Sequence, residues 1–151
     1  MRAALLFVFF AATVSAWDHF EFDMTLFCNY PDRETYNIQA KWWEVDSIAA
    51  EDEISKQLTT KIKTGRYSFT MEGALDGDEM LSAGYKPKLY LTHDCTSDRK
   101  AVVMQLTITT LCEIGHPCHY RIIRDITNDW GKYEAAADAF KFEMTPFPDF
   151  P

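Results

Sequence analysis

Basic residues are few in this sequence, and they do not cluster. Its 15 lysines and arginines stand against 23 aspartates and glutamates, which gives a formal net charge of −8. A chain with this acidic balance and no basic stripe is poorly suited to nucleic acid or anionic lipid, so neither is expected as a partner. No apolar run reaches the roughly 20 residues that a helix needs to span a bilayer. We therefore predict that the protein is not transmembrane.

The motifs of common enzyme classes are also missing. The sequence contains no Gly-x-Ser-x-Gly, no phosphate-binding loop and no His-Glu-x-x-His. The acidic stretch Glu51-Asp52-Glu53 lacks the glycine and the ligand spacing of a calcium loop. No Asn-x-Ser/Thr triplet with an allowed middle residue occurs, so N-glycosylation is not expected. We predict a protein without enzymatic activity, without a metal site and without a cofactor.

The start of the sequence has the pattern of a secretory signal peptide. A positive charge at Arg2 precedes an almost unbroken apolar run over residues 3–14, and small residues follow at Ser15 and Ala16. A short charged region, an apolar region and a small-residue cleavage site are the three parts of such a signal. We predict a signal peptide at residues 1–16 and a secreted, extracellular protein.

The remaining chain suits one domain of ordinary size. The sequence is 47% hydrophobic and 15% aromatic, which is enough to fill a core. We place the domain at residues 17–144 and a C-terminal tail with three prolines at residues 145–151. The domain contains four cysteines, which predict two disulfides in an oxidising compartment. They are Cys28, Cys95, Cys112 and Cys118. Their spacing alone does not choose among the three connectivities.

Alternation of apolar and polar residues, with turn signals between, predicts mostly β-strands. The predicted strands are at 19–28, 36–42, 58–63, 66–72, 88–95, 102–109, 120–126 and 140–144. The first two are expected to form a hairpin or adjacent strands of a sandwich. The third and fourth flank Thr64-Gly65 and are expected to form a hairpin. A helical turn is compatible with 46–57 or 133–139, as is a simple connection. Seven or eight short strands, with at most one short helix, predict an all-β sandwich.

One strand carries a specific family resemblance. Residues 87–95, Pro-Lys-Leu-Tyr-Leu-Thr-His-Asp-Cys, resemble the strand of nematode transthyretin-like proteins that ends in His-Asp-Cys. Residues 26–29, Leu-Phe-Cys-Asn, and residues 117–118, Pro-Cys, are similar to two further family motifs. The chain departs from the family in its long segment 96–116 and in lacking a cysteine near the C-terminus. The resemblance implies a divergent member with a prealbumin-like sandwich of about seven strands, secreted and without known catalysis.

The same resemblance implies a disulfide pairing. It suggests that Cys95 pairs with Cys118, which leaves Cys28 to pair with Cys112. Enzymes that hydrolyse 5-hydroxyisourate share the transthyretin fold, but they need several catalytic histidines and arginines and a C-terminal Tyr-Arg-Gly-Ser. This chain ends Phe-Pro-Asp-Phe-Pro. The resemblance therefore does not extend to that activity.

One dense group of residues has the atoms of a zinc site. Cys112, His116, Cys118 and His119 are ligand types that zinc prefers. Secretion favours oxidised cysteines, however, and the His-x-Cys-His spacing strains a single tetrahedron. We expect disulfide partners with two solvated histidines here, and a zinc-dependent enzyme is only a remote alternative.

Two pairs of neighbouring residues are candidates for function. His93-Asp94 offers an acid and a base, but adjacent residues of a strand point to opposite faces and do not share a site. A polar strand end that caps a turn is the better interpretation. The same rule gives Trp42-Trp43 one indole on each face of its strand. We predict that one is in the core and that Trp43 is available to an interface or an apolar ligand.

These observations favour a secreted, non-enzymatic, extracellular binding protein of the transthyretin-like type. The expected partner is a lipid, a small apolar molecule or a protein. The alternative is a structural or host-interaction scaffold without a small ligand. Exposed strand edges would also allow the chain to form a dimer.

Overall fold

The computed structural model describes residues 17–45, 51–76 and 84–136. These residues form strands, turns and loops, and the protein is all-β, as the alternation predicts. Because the described residues contain no helix, they contain none that could cross a membrane. Three predictions lie outside the described residues: the signal peptide at 1–16, the last strand at 140–144 and the tail at 145–151.

Eleven strands are present in the described residues, and three of these have only two residues each. Seven of the eight strands predicted from the sequence are among the longer ones, and the eighth, at 140–144, lies outside the described residues. The strands are β1 (Asp18–Cys28), β2 (Thr35–Glu44), β3 (Asp52–Glu53), β4 (Leu58–Lys63), β5 (Gly65–Leu75), β6 (Gly84–Tyr85), β7 (Pro87–His93), β8 (Val102–Ile108), β9 (Cys112–Glu113), β10 (Cys118–Asp125) and β11 (Gly131–Ala135). The helical turn considered at 133–139 is a strand as far as Ala135, because β11 pairs in parallel with β8.

Within the described residues, the longer strands belong to two sheets. One sheet has three strands in the order β10-β1-β5, with β1 parallel to β10 and antiparallel to β5. The other has six strands: β11, β8, β7 and β2 follow in that order, and β3 and β4 both pair with the far side of β2. The strands β6 and β9 form a separate two-stranded ladder.

The two sheets pack against each other through the alternating apolar residues. In β1 the buried apolar residues are Phe20, Phe22, Met24, Leu26 and Cys28. The Phe22 ring stacks on the ring of Trp42 from the other sheet, with a centroid distance of 3.9 Å, and lies 5.6 Å from the ring of Tyr120. Large aromatic side chains of this kind dominate the energy of a core. The centre of the sandwich is therefore filled by stacked rings from both sheets.

The hairpin expected from β4 and β5 is not formed, and β1 and β2, expected as a hairpin or as adjacent strands of a sandwich, do not pair. β1 and β2 lie in different sheets and face each other across the core. β4 and β5 also separate, because β4 pairs with β2 while β5 pairs with β1. The chain crosses between the sheets at Thr64-Gly65, where Gly65 has φ of 93° and the Thr64 N–H donates to the Glu34 carbonyl at 3.1 Å. The hairpin prediction was wrong because a glycine turn has the same local sequence whether it reverses a strand or passes it to another sheet.

The disulfides join Cys28 to Cys95 and Cys112 to Cys118, and no cysteine is free. The pairing that the resemblance implied, Cys95 with Cys118 and Cys28 with Cys112, is therefore wrong. The reason is the register of the strands. Cys95 lies beside Cys28 at the end of β1, whereas Cys118 pairs with Phe20 near the start of β1. The strand between these positions is roughly 26 Å long at about 3.3 Å per residue. A disulfide spans at most about 7 Å between Cα atoms.

Candidate binding groove and metal-ligating cluster

The connection from β3 to β4 crosses to the edge of β5. Ser55 pairs with Gly73 in an isolated antiparallel bridge, and the Ala74 N–H donates to the Ile54 carbonyl oxygen at 3.2 Å. This approach requires glycine, because a Cβ atom at position 73 would lie 1.9 Å from the Ile54 oxygen. The contact ties the edge of the six-stranded sheet to the edge of the three-stranded sheet.

A groove of about 620 Å³ lies where this connection meets β5, and we call it the β5-edge groove. Its apolar lining is formed by Phe20, Ile54, Leu58, Met71 and Ala74. Its polar lining is formed by His19, Lys56, Gln57, Thr70 and Glu72, together with Gly73. Pockets of roughly 300–1,000 Å³ with mostly apolar walls and a few polar groups are typical of small-molecule sites. The groove therefore has the size and the lining to hold a small amphipathic molecule.

Two carboxylates and an imidazole converge on the outer face of the three-stranded sheet. We call Glu21, Asp23 and His119 the acid–histidine cluster. Glu21 and Asp23 share a face because they are two residues apart on β1, and His119 lies opposite Glu21 on β10. The Nε2 atom of His119 lies 2.8 Å from Asp23 Oδ2 and 3.6 Å from Glu21 Oε1. One potential ligand atom from each residue lies within 4.8 Å of the other two.

The neighbouring strand β5 links this cluster to the groove. Glu72 is opposite Glu21 in the β1–β5 ladder, and Thr70 is opposite Asp23. The Thr70 hydroxyl donates to Asp23 Oδ1 at 2.8 Å. Burial raises the pKa of Asp23, but the hydrogen bonds from Thr70 and His119 outweigh burial and lower that pKa below its usual 3.8. Thr70 and Glu72 also line the β5-edge groove, so the two candidate sites are adjacent.

The zinc ligand set considered from the sequence does not form. Cys112 and Cys118 are joined in a disulfide, so neither can supply a thiolate. His116 is exposed in the loop before β10, whereas His119 belongs to the acid–histidine cluster. The zinc-dependent enzyme considered as a remote alternative thus lacks its proposed ligands.

His93 and Asp94 contact different groups, as expected for neighbours on a strand. His93 is buried, and its Nε2 atom lies 2.8 Å from the carbonyl oxygen of Asp129. Burial lowers the pKa of His93 despite that contact. Asp94 accepts hydrogen bonds from the backbone and side chain of Asn37 at 2.8 and 2.6 Å and from the Arg33 guanidinium at 2.6 Å. Asp94 therefore has a structural role. Its hydrogen bonds connect the end of β7 to β2 and to the turn that precedes β2.

Trp42 and Trp43 point to opposite faces of β2, as predicted. Trp42 is fully buried in the core, and Trp43 is half-buried on the outer face of the six-stranded sheet. The Lys41 Nζ atom lies 4.2 Å from the centroid of the Trp43 ring and 2.6 Å from Glu53 Oε2. Trp43 does not line the β5-edge groove. Its role towards a ligand or an interface stays a prediction.

Sequence reasoning found neither the β5-edge groove nor the acid–histidine cluster. Glu21 and Asp23 are visible as polar positions of an alternating strand, but such positions are usually solvated. Their meeting with His119 depends on the pairing of β1 with β10, which no local pattern reports. No family model matches the chain, and no curated protein matches it either.

Proposed function

We propose that this protein is a secreted, non-enzymatic, extracellular binding protein of the transthyretin-like type, and that the β5-edge groove holds a small apolar molecule with a polar end. The groove is the observation that carries the proposal. Leu58 and Met71 contribute to its apolar lining, and Lys56 and Glu72 provide opposite charges in the same groove. A hydrocarbon tail can lie against the apolar residues while a polar end stays in contact with charged groups and water.

The packing of the core supports a ligand at the edge of the sandwich rather than between its sheets. Phe22 and Trp42 stack at 3.9 Å between centroids, and Phe20 meets Tyr85 edge-on at 5.4 Å. Adding a further group to a core packed in this way forces side chains out of their preferred conformations and destabilises the fold. A ligand in the groove avoids that cost.

An extracellular setting has two supports. The domain has two disulfides, which persist in oxidising compartments and are typical of extracellular proteins. The signal-peptide pattern at residues 1–16 also supports secretion. The assignment to the transthyretin-like type is supported by the resemblance of residues 87–95.

Binding of dodecanoate, measured by isothermal titration calorimetry and native mass spectrometry, tests the proposal. We expect one dodecanoate per chain. Leu58→Gln should bind about tenfold more weakly, because loss of a leucine contact of about 1.5 kcal/mol corresponds to roughly that factor. Ile123→Gln is the matched control, since Ile123 is 64% exposed and does not line the groove. It should keep the wild-type affinity.

The outcomes separate specific from general apolar binding. Weaker binding in Leu58→Gln alone supports the groove as the site. An equal loss in both variants would mean that dodecanoate adheres to apolar surface in general, which contradicts the proposal. If neither dodecanoate nor the uncharged dodecanol binds the wild-type protein, the proposed function is wrong.

A structural or host-interaction scaffold is the second candidate, and a pair of exposed apolar side chains favours it. Trp130 is 60% exposed and Val103 is 47% exposed. Trp130 immediately precedes Gly131 and Val103 immediately precedes Met104. Because Gly131 and Met104 are paired in the parallel ladder of β11 and β8, the two exposed residues are neighbours. Sedimentation velocity over a range of concentrations is the test. Self-association without dodecanoate binding would favour the scaffold over the ligand-binding function.

A further inference from the structure

We propose that the acid–histidine cluster binds one divalent transition-metal ion of the Zn²⁺ type, through Glu21 Oε1, Asp23 Oδ2 and His119 Nε2. This site is independent of the ligand proposed for the β5-edge groove, and it would remain if the groove bound nothing. It also differs from the Cys112–His119 set considered from the sequence, with which it shares only His119.

The separations of the three side chains suit a common ion. Zinc bonds to imidazole nitrogen and carboxylate oxygen are about 2.0–2.2 Å long, which places neighbouring ligands of a tetrahedron roughly 3.4 Å apart. The Nε2 atom of His119 lies 2.8 Å from Asp23 Oδ2 and 3.6 Å from Glu21 Oε1, on either side of that value. Side-chain shifts of less than about 1 Å would therefore accommodate the ion.

The cluster is held in place by groups outside it. The Thr70 hydroxyl bonds Asp23 Oδ1, which leaves Oδ2 facing His119. Hydrogen bonds to the second atom of a ligand orient the first, and such outer contacts are a general feature of metal sites. Both carboxylates lie on β1, which is the central strand of its sheet. His119 directly follows Cys118, whose disulfide anchors the start of β10. The ligands are thus positioned before any ion binds.

The surrounding charges favour a cation at this position. Glu21 lies directly opposite Glu72 across the β1–β5 ladder, and like charges in that arrangement destabilise a sheet. Arg121 lies opposite Asp23 on the other side and offsets part of the negative charge there. A divalent ion between Glu21 and Asp23 would also offset the repulsion between Glu21 and Glu72.

The donor atoms select the class of ion. An imidazole nitrogen suits Zn²⁺, Cu²⁺ and related ions, whereas Ca²⁺ and Mg²⁺ prefer sites built from oxygen alone. Three protein ligands leave at least one coordination position for water or another group. Without a metal, the same three side chains form only a hydrogen-bonded group, in which His119 contacts Asp23 and lies beside Glu21.

Calorimetric titration of the chelator-treated, full-length protein with Zn²⁺ distinguishes these two arrangements. We expect one Zn²⁺ per chain at pH 7.5 and no competition from Ca²⁺. His119→Gln and the near-isosteric Asp23→Asn should each weaken binding by at least about tenfold. His116→Gln is the matched control, because His116 is exposed and outside the cluster, and it should bind as the wild type does.

Thr70→Val provides the test of positioning. This substitution removes the hydroxyl that donates a hydrogen bond to Asp23, and it leaves all three metal ligands in place. It should weaken Zn²⁺ binding by about tenfold. Thermal unfolding of every variant without metal shows whether the fold is intact, and Asp23→Asn serves if His119→Gln is unfolded. If Zn²⁺ does not bind the wild type, or if His119→Gln binds as tightly as His116→Gln, the cluster is a hydrogen-bonded group only and the proposal is wrong.

Discussion

The carboxylate of Asp94 shows how one residue contributes to stability in a way that depends on pH. Burial raises its pKa, but hydrogen bonds from Asn37 and the charge of Arg33 outweigh burial, so the pKa lies below its usual 3.8. A carboxyl whose pKa is lower in the folded protein stabilises the fold above its unfolded pKa. That contribution is lost as the pH falls through the lowered, folded value. The window of acid sensitivity for this residue therefore lies below about pH 4.

Replacing Asp94 by asparagine should make this dependence visible. Asp94→Asn is expected to lower the free energy of unfolding by about 2 kcal/mol at pH 7, because the half-buried guanidinium of Arg33 loses its anion. Urea unfolding should show a smaller difference from wild type at pH 2, because the carboxyl of the unfolded chain is then protonated and the folded carboxylate contributes less to stability. Asp98→Asn is the control, since Asp98 is exposed and its loss should have little effect. An equal difference at both pH values would contradict the assignment.

At the scale of the elements, the contact between β5 and the connection before β4 requires a glycine at position 73. Gly73→Ala would place a Cβ atom 1.9 Å from the Ile54 carbonyl oxygen, so the backbone must separate. We expect the free energy of unfolding to fall by about 2 kcal/mol, a size typical of overpacking. Dodecanoate affinity should fall as well, because Gly73 lines the β5-edge groove.

Chemical unfolding and the dodecanoate titration check this expectation together. Ser68→Ala on the same strand is the control, because Ser68 is exposed and lies outside the groove. It should change stability by no more than about 0.5 kcal/mol. A Gly73→Ala variant as stable as Ser68→Ala would show that the contact between Gly73 and Ile54 is not needed.

The presence of a strand was the property of the elements that the sequence predicted best. β1, β2, β7 and β8 alternate cleanly because each has one buried face, and the period of two is a local property of the chain. β11 was not predicted as a strand, since its alanine and glutamate suit a helical turn or a simple connection. It is a strand because β8 offers a free edge for parallel pairing.

At the scale of the whole molecule, the two disulfides close loops of very different length. Cys28–Cys95 spans 67 residues and joins the end of β1 to the chain just after β7, so it links the two sheets. Cys112–Cys118 spans only 6 residues and closes the loop from β9 to β10. A disulfide stabilises the fold by restricting the unfolded chain, and this effect grows with the length of the closed loop. The predicted stabilisation is about 4 kcal/mol for the long loop and about 2 kcal/mol for the short one.

Paired substitutions test that difference. The double variant Cys28→Ser with Cys95→Ser should lose about 4 kcal/mol of unfolding free energy, and the double variant Cys112→Ser with Cys118→Ser about half as much. Urea unfolding under non-reducing conditions measures both. Peptide mapping of the unreduced wild-type protein checks the connectivity first. Equal losses, or a map with Cys95 joined to Cys118, would contradict the assignment.

The sequence by itself determined that the protein is all-β and where most of its longer strands lie. Both follow from a period of two that each strand carries within itself. It also indicated two disulfides and separate roles for His93 and Asp94, and it placed Trp42 and Trp43 on opposite faces. Only the tertiary structure decided that β4 and β5 enter different sheets, that Cys28 meets Cys95, and that His119 meets Glu21 and Asp23. These outcomes depend on which strands pair and in which register, and pairing is chosen by the combined packing of both sheets rather than by any segment alone.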